Sequence, residues 1–307
     1  MNVYDAHCDV LCKMWQDPSL SFENGVGLHT NLEQMRKSGA KFQMFAIYVP
    51  ESVPESAKFD CALDMVDIFH EKVIKPYDEV LPVYSKEEVE NLPDGKIGVM
   101  LTLEGCDAIG KDVVRLKTLI RLGVRSVGLT WNYGNATADG ILESRAAGLS
   151  DFGKRVVDLH NQHRIWTDVS HLSVRAFWDV IDQGRYVIAS HSNAKAICTH
   201  PRNLDNHQLT ALIEKDSLIG VTFVPKFLRN DRNAGISDII HHIEHICSLG
   251  GVNNIGIGSD FDGIDQVPAG LERYDHYPRL IEELLKYYSH DQVEGFVGGN
   301  LLARIPG

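Results

Sequence analysis

The chain has 307 residues, 44% of them hydrophobic, enough for a buried core in one large domain or two modest ones. A net charge of −12 argues against nucleic acid or an anionic membrane surface as partner, and no run of about 18 apolar residues marks a membrane span. Six cysteines (Cys8, Cys12, Cys61, Cys106, Cys198, Cys247) form no paired framework or CxxC, and Met1 to His7 lacks the basic start and apolar run of a signal peptide, so reduced thiols in a cytoplasmic protein are expected.

Residues 3–7 read as a short strand that ends in His7-Cys8-Asp9. Asn31 caps a helix to about Ser38, stopped by Gly39, and residues 41–49 form a second strand. A helix over 55–74 takes its apolar face from Cys61, Leu63, Met65, Val66 and Phe69, and 86–92 is a helical turn. Residues 97–103 are almost unbroken apolar, the pattern of a strand covered on both faces, and they end at Glu104-Gly105. A helix over 113–122 leads to a fourth strand, 126–130. The Gly- and Asn-rich loop 131–148 is long enough to suggest function, and Ser150 opens a helix to about His163.

The stretch from Arg164 to Arg202 organises the rest. Two runs rich in β-branched and aromatic residues each stop at a Ser-His pair, Ser170-His171 and Ser190-His191. Between them Val174, Phe177, Trp178 and Ile181 recur at helical spacing, with Gly184 as the stop. This is a βαβ unit whose parallel strands, the fifth and sixth, both deliver an imidazole at their carboxyl ends, where chemistry sits in barrels and open α/β sheets. Two neutral imidazoles side by side suit one shared zinc; the plainer alternative is that each caps its strand by a hydrogen bond. Residues 206–215 are helical, 218–224 form strand seven, and 236–249 are helical. Strand eight, 255–258, ends in Ser259-Asp260-Phe261-Asp262-Gly263, and helices over 277–288 and 291–304 follow.

Eight strands alternating with helices, without a composition break, linker or repeat, predict an α/β fold. The expectation is a single (β/α)8 TIM-type barrel domain over 1–307 with extra C-terminal helices. A doubly wound open sheet is the alternative. The first βα loop offers only Gly25-Val26-Gly27 and no GxGxxG, so dinucleotide binding has little support.

Strand ends one, three, five, six and eight contribute His7, Asp9, Glu104, His171, His191 and Asp260. His7 and Asp9 are two residues apart and project from one face of an extended segment. Glu104 ends a fully apolar strand and needs a cation or strong donors, with Arg125 as the plainer partner. Asp260, beside glycines, also reads as a turn residue. One ion on His7, Asp9 and Glu104 and another on Glu104, His171 and His191 would make a two-metal site bridged by Glu104. Imidazole and carboxylate ligands without thiolate indicate catalytic zinc or manganese, and two such ions acidify a bridging water and polarise a carbonyl. A rival, His241-His242-Ile243-Glu244-His245, matches H-x-x-E-H. Ile239, Ile240, Ile243, Ile246 and Cys247 form the buried stripe of that helix, which assigns its histidines and Glu244 to the solvated face.

In order along the whole chain, Asp5-Ala6-His7-Cys8-Asp9, Leu103-Glu104-Gly105, Asp168-Val169-Ser170-His171, Ser190-His191-Ser192, Arg202-Asn203, the 258–263 turn and the closing 298–304 segment resemble the renal or membrane dipeptidases. These are zinc metallopeptidases of the amidohydrolase-like barrel superfamily. The resemblance implies hydrolysis of dipeptides, including those with a D-residue at the carboxyl end, by a water held between two zinc ions, with manganese or cobalt as alternatives. It implies the five ligands named above, Asp260 and Glu104 as catalytic carboxylates, Arg202 as anchor for the substrate carboxylate, and a homodimer. Two departures stand out. Trp131 replaces a substrate-binding histidine, leaving Asn132 or Tyr133 for the carbonyl, and Phe227 falls where a tyrosine meets the carboxylate. The alternatives are another barrel amidohydrolase acting on a cyclic amide, N-acyl amino acid or lactone, and a metal-binding barrel without catalysis. Asp260 beside all five ligands argues against the last, because binding alone needs no proton shuttle.

Overall fold

The computed structural model describes residues 1–230 and 234–307. Nine strands form its sheet: β1 (Val3–Cys8), β2 (Ala40–Tyr48), β3 (Val80–Pro82), β4 (Ile97–Glu104), β5 (Val124–Gly128), β6 (Trp166–Asp168), β7 (Val187–Ala189), β8 (Leu218–Val221) and β9 (Ile255–Ile257). All pairs are parallel. β1 joins β9 on one side and β2 on the other, and β2 also joins β4, so eight strands close into a ring. The predicted (β/α)8 barrel is therefore the fold. β3 stands outside the ring, alongside the start of β4 with Val80 opposite Ile97, before β5 pairs from Leu101 onward. It escaped the sequence reading because three residues ending in proline show no period.

Side chains alternate between the barrel's inside and its helical coat. Phe42 and Met44 of β2 and Met100 of β4 pack inward with Trp166, Ile188 and Leu218. Phe45, Ile47, Val99, Leu101 and Leu103 face the coat. Glu104 has the parity of Met100, so β4 delivers its carboxylate inside the barrel at the carboxyl end. The opposite end is closed by Leu301 and Ile305, which join the inner cluster from the helix Asn300–Arg304 and just beyond it.

β1 breaks this alternation to serve the site. Asp5 pairs with Gln43 and Cys8 with Phe45, so β1 takes three steps where β2 takes two. Tyr4 and Ala6 pack inward, while Cys8 packs in the outer cluster with its thiol donating to the Met44 carbonyl at 3.4 Å. The extra residue re-aims His7 into the barrel. Asp9 is not strand: it sits at the start of a helix, Val10–Gln16, that periodicity alone missed. His7 and Asp9 thus converge through a bulge and a helix start, not through an extended segment.

Most predicted helices occur within a residue or two of their expected ends. The 55–74 segment is composite: a 3-10 turn, the α-helix Lys58–Ile68 and a π-helical stretch Phe69–Ile74. No helix among the described residues is long and apolar enough to cross a membrane.

Candidate metal centre

The six predicted residues meet at the carboxyl end of the barrel. Nε2 of His7 lies 3.3 Å from Asp9 Oδ2, 3.7 Å from Glu104 Oε2 and 3.9 Å from Asp260 Oδ1. On the other side Glu104 Oε1 lies 2.8 Å from His171 Nε2 and 3.5 Å from His191 Nε2. Glu104 therefore turns one oxygen towards His7 and the other towards His171 and His191. Arg125, its plainer partner from sequence, is spent on the carbonyls of Tyr84, Ile120 and Val124. Ligand atoms of His7, Glu104 and His191 lie within 4.8 Å of one another, as do those of His7, Asp9 and Asp260.

The donor set fits a cation. Ser190 Oγ donates to Asp168, so it accepts from His191 Nδ1, 2.7 Å away, and the proton of that ring sits on Nδ1. His171 Nδ1 lies 2.9 Å from Asn132 Oδ1, an acceptor, so its proton is likewise on Nδ1. The two Nε2 atoms are left as lone pairs facing each other at 2.8 Å, which is repulsive unless a positive charge lies beside them. His7 Nε2 and Asp9 Oδ1 are buried without a hydrogen-bond partner among the described residues. Such atoms are costly unless they ligate.

Electrostatics point the same way. Burial opposes charge on His7, but Glu104, Asp9 and Asp260 outweigh it and lift the imidazole to about 10. Burial holds His171 and His191 well below their ordinary range, helped by the positive charge of Arg202 and His7, so both stay in the neutral, ligating form. Burial pushes Glu104 up to about 7 against the pull of His7. Asp9 and Asp260 are raised too, first by burial and then by neighbouring carboxylates. Three desolvated carboxylates crowded in one pocket call for positive charge, and bound cations would reverse these shifts.

The backbone is bent to build this cluster. His171 (φ 70°), Asp260 (φ 63°) and Asp262 (φ 70°) lie in the left-handed region without being glycine, a strain that persists only where surroundings enforce it. Any side chain at Gly263 would collide with the Asp9 and Asp260 carboxylates. Asp262, the competing acid in that turn, points elsewhere: it accepts from His29 N at 2.7 Å and Thr30 N at 2.9 Å, with Lys13 Nζ at 3.3 Å. It ties the β1 and β9 loops together and stays out of the pocket.

Of the residues expected at the substrate, Arg202 is only 4% exposed, with Nη2 donating to the His191 carbonyl at 3.2 Å and Phe227 stacked 5.3 Å from its guanidinium. Its Nε has no partner among the described residues. Asn132 has its amide oxygen engaged by His171 and so orients a histidine, a role the sequence reading missed. Tyr133 is exposed, and Trp131 lies between it, at 6.3 Å, and Tyr48, at 5.3 Å, with His171 6.0 Å away. The rival helix assembles no such site. His242 is not on its solvated face as expected; it is buried, its ring nitrogens bonded to the Ala194 amide and the Leu228 carbonyl. His245 pairs with Asn206 on the surface.

A family model described as membrane dipeptidase (peptidase family M19) matches residues 1–305. Among solved structures, the chain is similar to dipeptidase AC, a metallopeptidase of family M19, at 28% identity over 99% of this chain and 97% of that one, with a TM-score of 0.91. It is also similar to a metallopeptidase from Rhodobacter sphaeroides, solved with a phosphinate mimic of the dipeptide L-Ala-D-Ala, at 26% identity over 99% of both chains, with a TM-score of 0.92. Matched over nearly its whole length and carrying a strand-end cluster of metal-ligand type, the chain belongs to the membrane dipeptidase family, peptidase family M19, a family of metallopeptidases.

Proposed function

We propose that the chain, acting as one domain, is a zinc dipeptidase that holds two ions and hydrolyses dipeptides, including those with a D-residue at the carboxyl end. The observation that carries this reading is the division of Glu104: Oε2 towards His7, which lies beside Asp9, and Oε1 towards His171 and His191. His7, Asp9 and Glu104 would hold one ion, and Glu104, His171 and His191 the other. When bound, such ions supply an acidified water and polarise the peptide carbonyl. Arg202, a buried cation with an unpaired Nε, binds the free carboxylate of the dipeptide. Asp260 takes a proton on its carboxylate and returns it to the leaving amine.

Acceptance of a D-residue draws its support from the Rhodobacter sphaeroides protein, which was solved with an L-Ala-D-Ala mimic. A panel of L-L and L-D dipeptides, with N-acyl amino acids and lactones beside them, tests the substrate class. Turnover of both dipeptide series, with little on the acyl amino acids and lactones, is expected. Turnover confined to the latter would place the chain among the other barrel amidohydrolases.

A further inference from the structure

The barrel uses one hydrogen-bonded clasp twice, and only one copy touches an imidazole. In the first, Asp5 Oδ1 accepts from the amide two residues on, His7 N at 3.1 Å, and from the amide of a serine on the adjoining strand end, Ser259 N at 2.9 Å; Asp5 Oδ2 accepts from the Ser259 hydroxyl at 2.6 Å. In the second, Asp168 Oδ1 accepts from Ser170 N at 3.0 Å and Ser190 N at 3.0 Å, and Asp168 Oδ2 accepts from the Ser190 hydroxyl. Each clasp locks two neighbouring strand ends, β1 to β9 and β6 to β7. The first takes a further bond from Tyr277 OH at 2.8 Å, and its serine hydroxyl also reaches the His7 carbonyl at 3.2 Å.

The difference lies in what the serine oxygen does next. Ser259 Oγ accepts from the Phe261 amide at 3.2 Å, whereas Ser190 Oγ lies 2.7 Å from His191 Nδ1. A hydroxyl has one proton, and Asp168 takes it, so the oxygen offers His191 only lone pairs. The fit around Ser190 is tight, since a side chain at Gly220 or at Gly258 would collide with its carbonyl oxygen. That fixes the backbone at Ser190, and the hydroxyl itself is held by its bond to the Asp168 carboxylate.

We propose that Ser190 is a positioning residue: held by Asp168, it accepts the Nδ1 proton of His191 and so fixes that imidazole with its Nε2 lone pair facing the metal centre. The proposal rests on His191 being a ligand. Partners that orient metal-binding histidines are typically worth about 10- to 100-fold in metal affinity.

The test uses full-length protein loaded with zinc, with affinity read by chelator competition and the His191 ring protons read by 15N-edited NMR. Wild type should show a slowly exchanging His191 Nδ1 proton. Ser190→Ala should lose that signal and bind zinc about 10- to 100-fold more weakly. Ser259→Ala removes the matching bond from the other clasp without touching a ring, so it should lose stability but keep the signal and stay within a few-fold of wild-type affinity. Equal weakening in both serine variants, or wild-type affinity in Ser190→Ala, overturns the proposal. A wild-type ring protonated on Nε2 overturns it without any variant. Full zinc content in His191→Ala would overturn the ligand reading beneath it, a failure distinct from that of the relay alone.

Discussion

Asp260→Asn is expected to cut turnover by about 10²- to 10⁴-fold while the metal stays bound and substrate affinity changes little. The substitution suits this position for two reasons. Asparagine tolerates the left-handed backbone that Asp260 adopts at φ 63°, so the strand end should keep its shape. It also keeps the side chain's size beside Asp9 while removing the carboxylate that carries the proton. The competing role is real, because Asp260 lies in the same tight group as His7 and Asp9. If Asp260 is a ligand, Asp260→Asn will lose metal along with activity. Near-normal turnover would remove Asp260 from the mechanism. Steady-state kinetics and elemental analysis on the same preparation separate the three outcomes.

Arg202→Met is expected to depress kcat/KM for dipeptides by about 2–5 kcal/mol, the usual cost of leaving a buried charge unpaired. That is roughly 30- to several-thousand-fold. The guanidinium is buried against Phe227, and burial lowers its pKa to about 10 even though Asp260, Glu104 and Asp168 favour the charge. It stays charged at neutral pH and has bonding capacity to spare. Arg202 also donates to the His191 carbonyl, so its loss will disturb the site somewhat whatever the substrate. Dipeptide amides control for that, because they lack the carboxylate but meet the same disturbance. A much larger loss on dipeptides than on their amides is the expected result. Equal losses would reduce Arg202 to a brace for the His191 strand end.

Much of this was legible in the chain because barrels expose their logic in one dimension. Each ring strand is a short apolar run, and five of the eight lead, at their ends or within three residues beyond, to a residue that enters the pocket, so His7, Glu104, His171, His191 and Asp260 stood out by position. What was hidden depends on neighbours across the sheet. The bulge in β1 shows only in its register with β2, and β3 only through its pairing with β4. Asp5 and Asp168 were visible as members of family-like motifs, yet their work is done with serines on the next strand, far away in sequence. His242 was misplaced because a periodic reading treats histidine as polar, whereas here two backbone groups satisfy its ring and allow burial. The bond from His171 to Asn132 was hidden because nothing in the loop's sequence shows that it folds back over β6, with the Ile141 amide donating to the His171 carbonyl at 2.7 Å.

The central claim is a pair of ions shared through Glu104, and elemental analysis of purified protein tests it most directly. Two equivalents per chain are expected in wild type, loss from both positions in Glu104→Gln, and loss of about one equivalent in His191→Ala. His241→Ala and His245→Ala, on the rival helix, should keep the full content. Unchanged metal in both Glu104→Gln and His191→Ala, or metal lost from the rival-helix variants instead, would contradict the account.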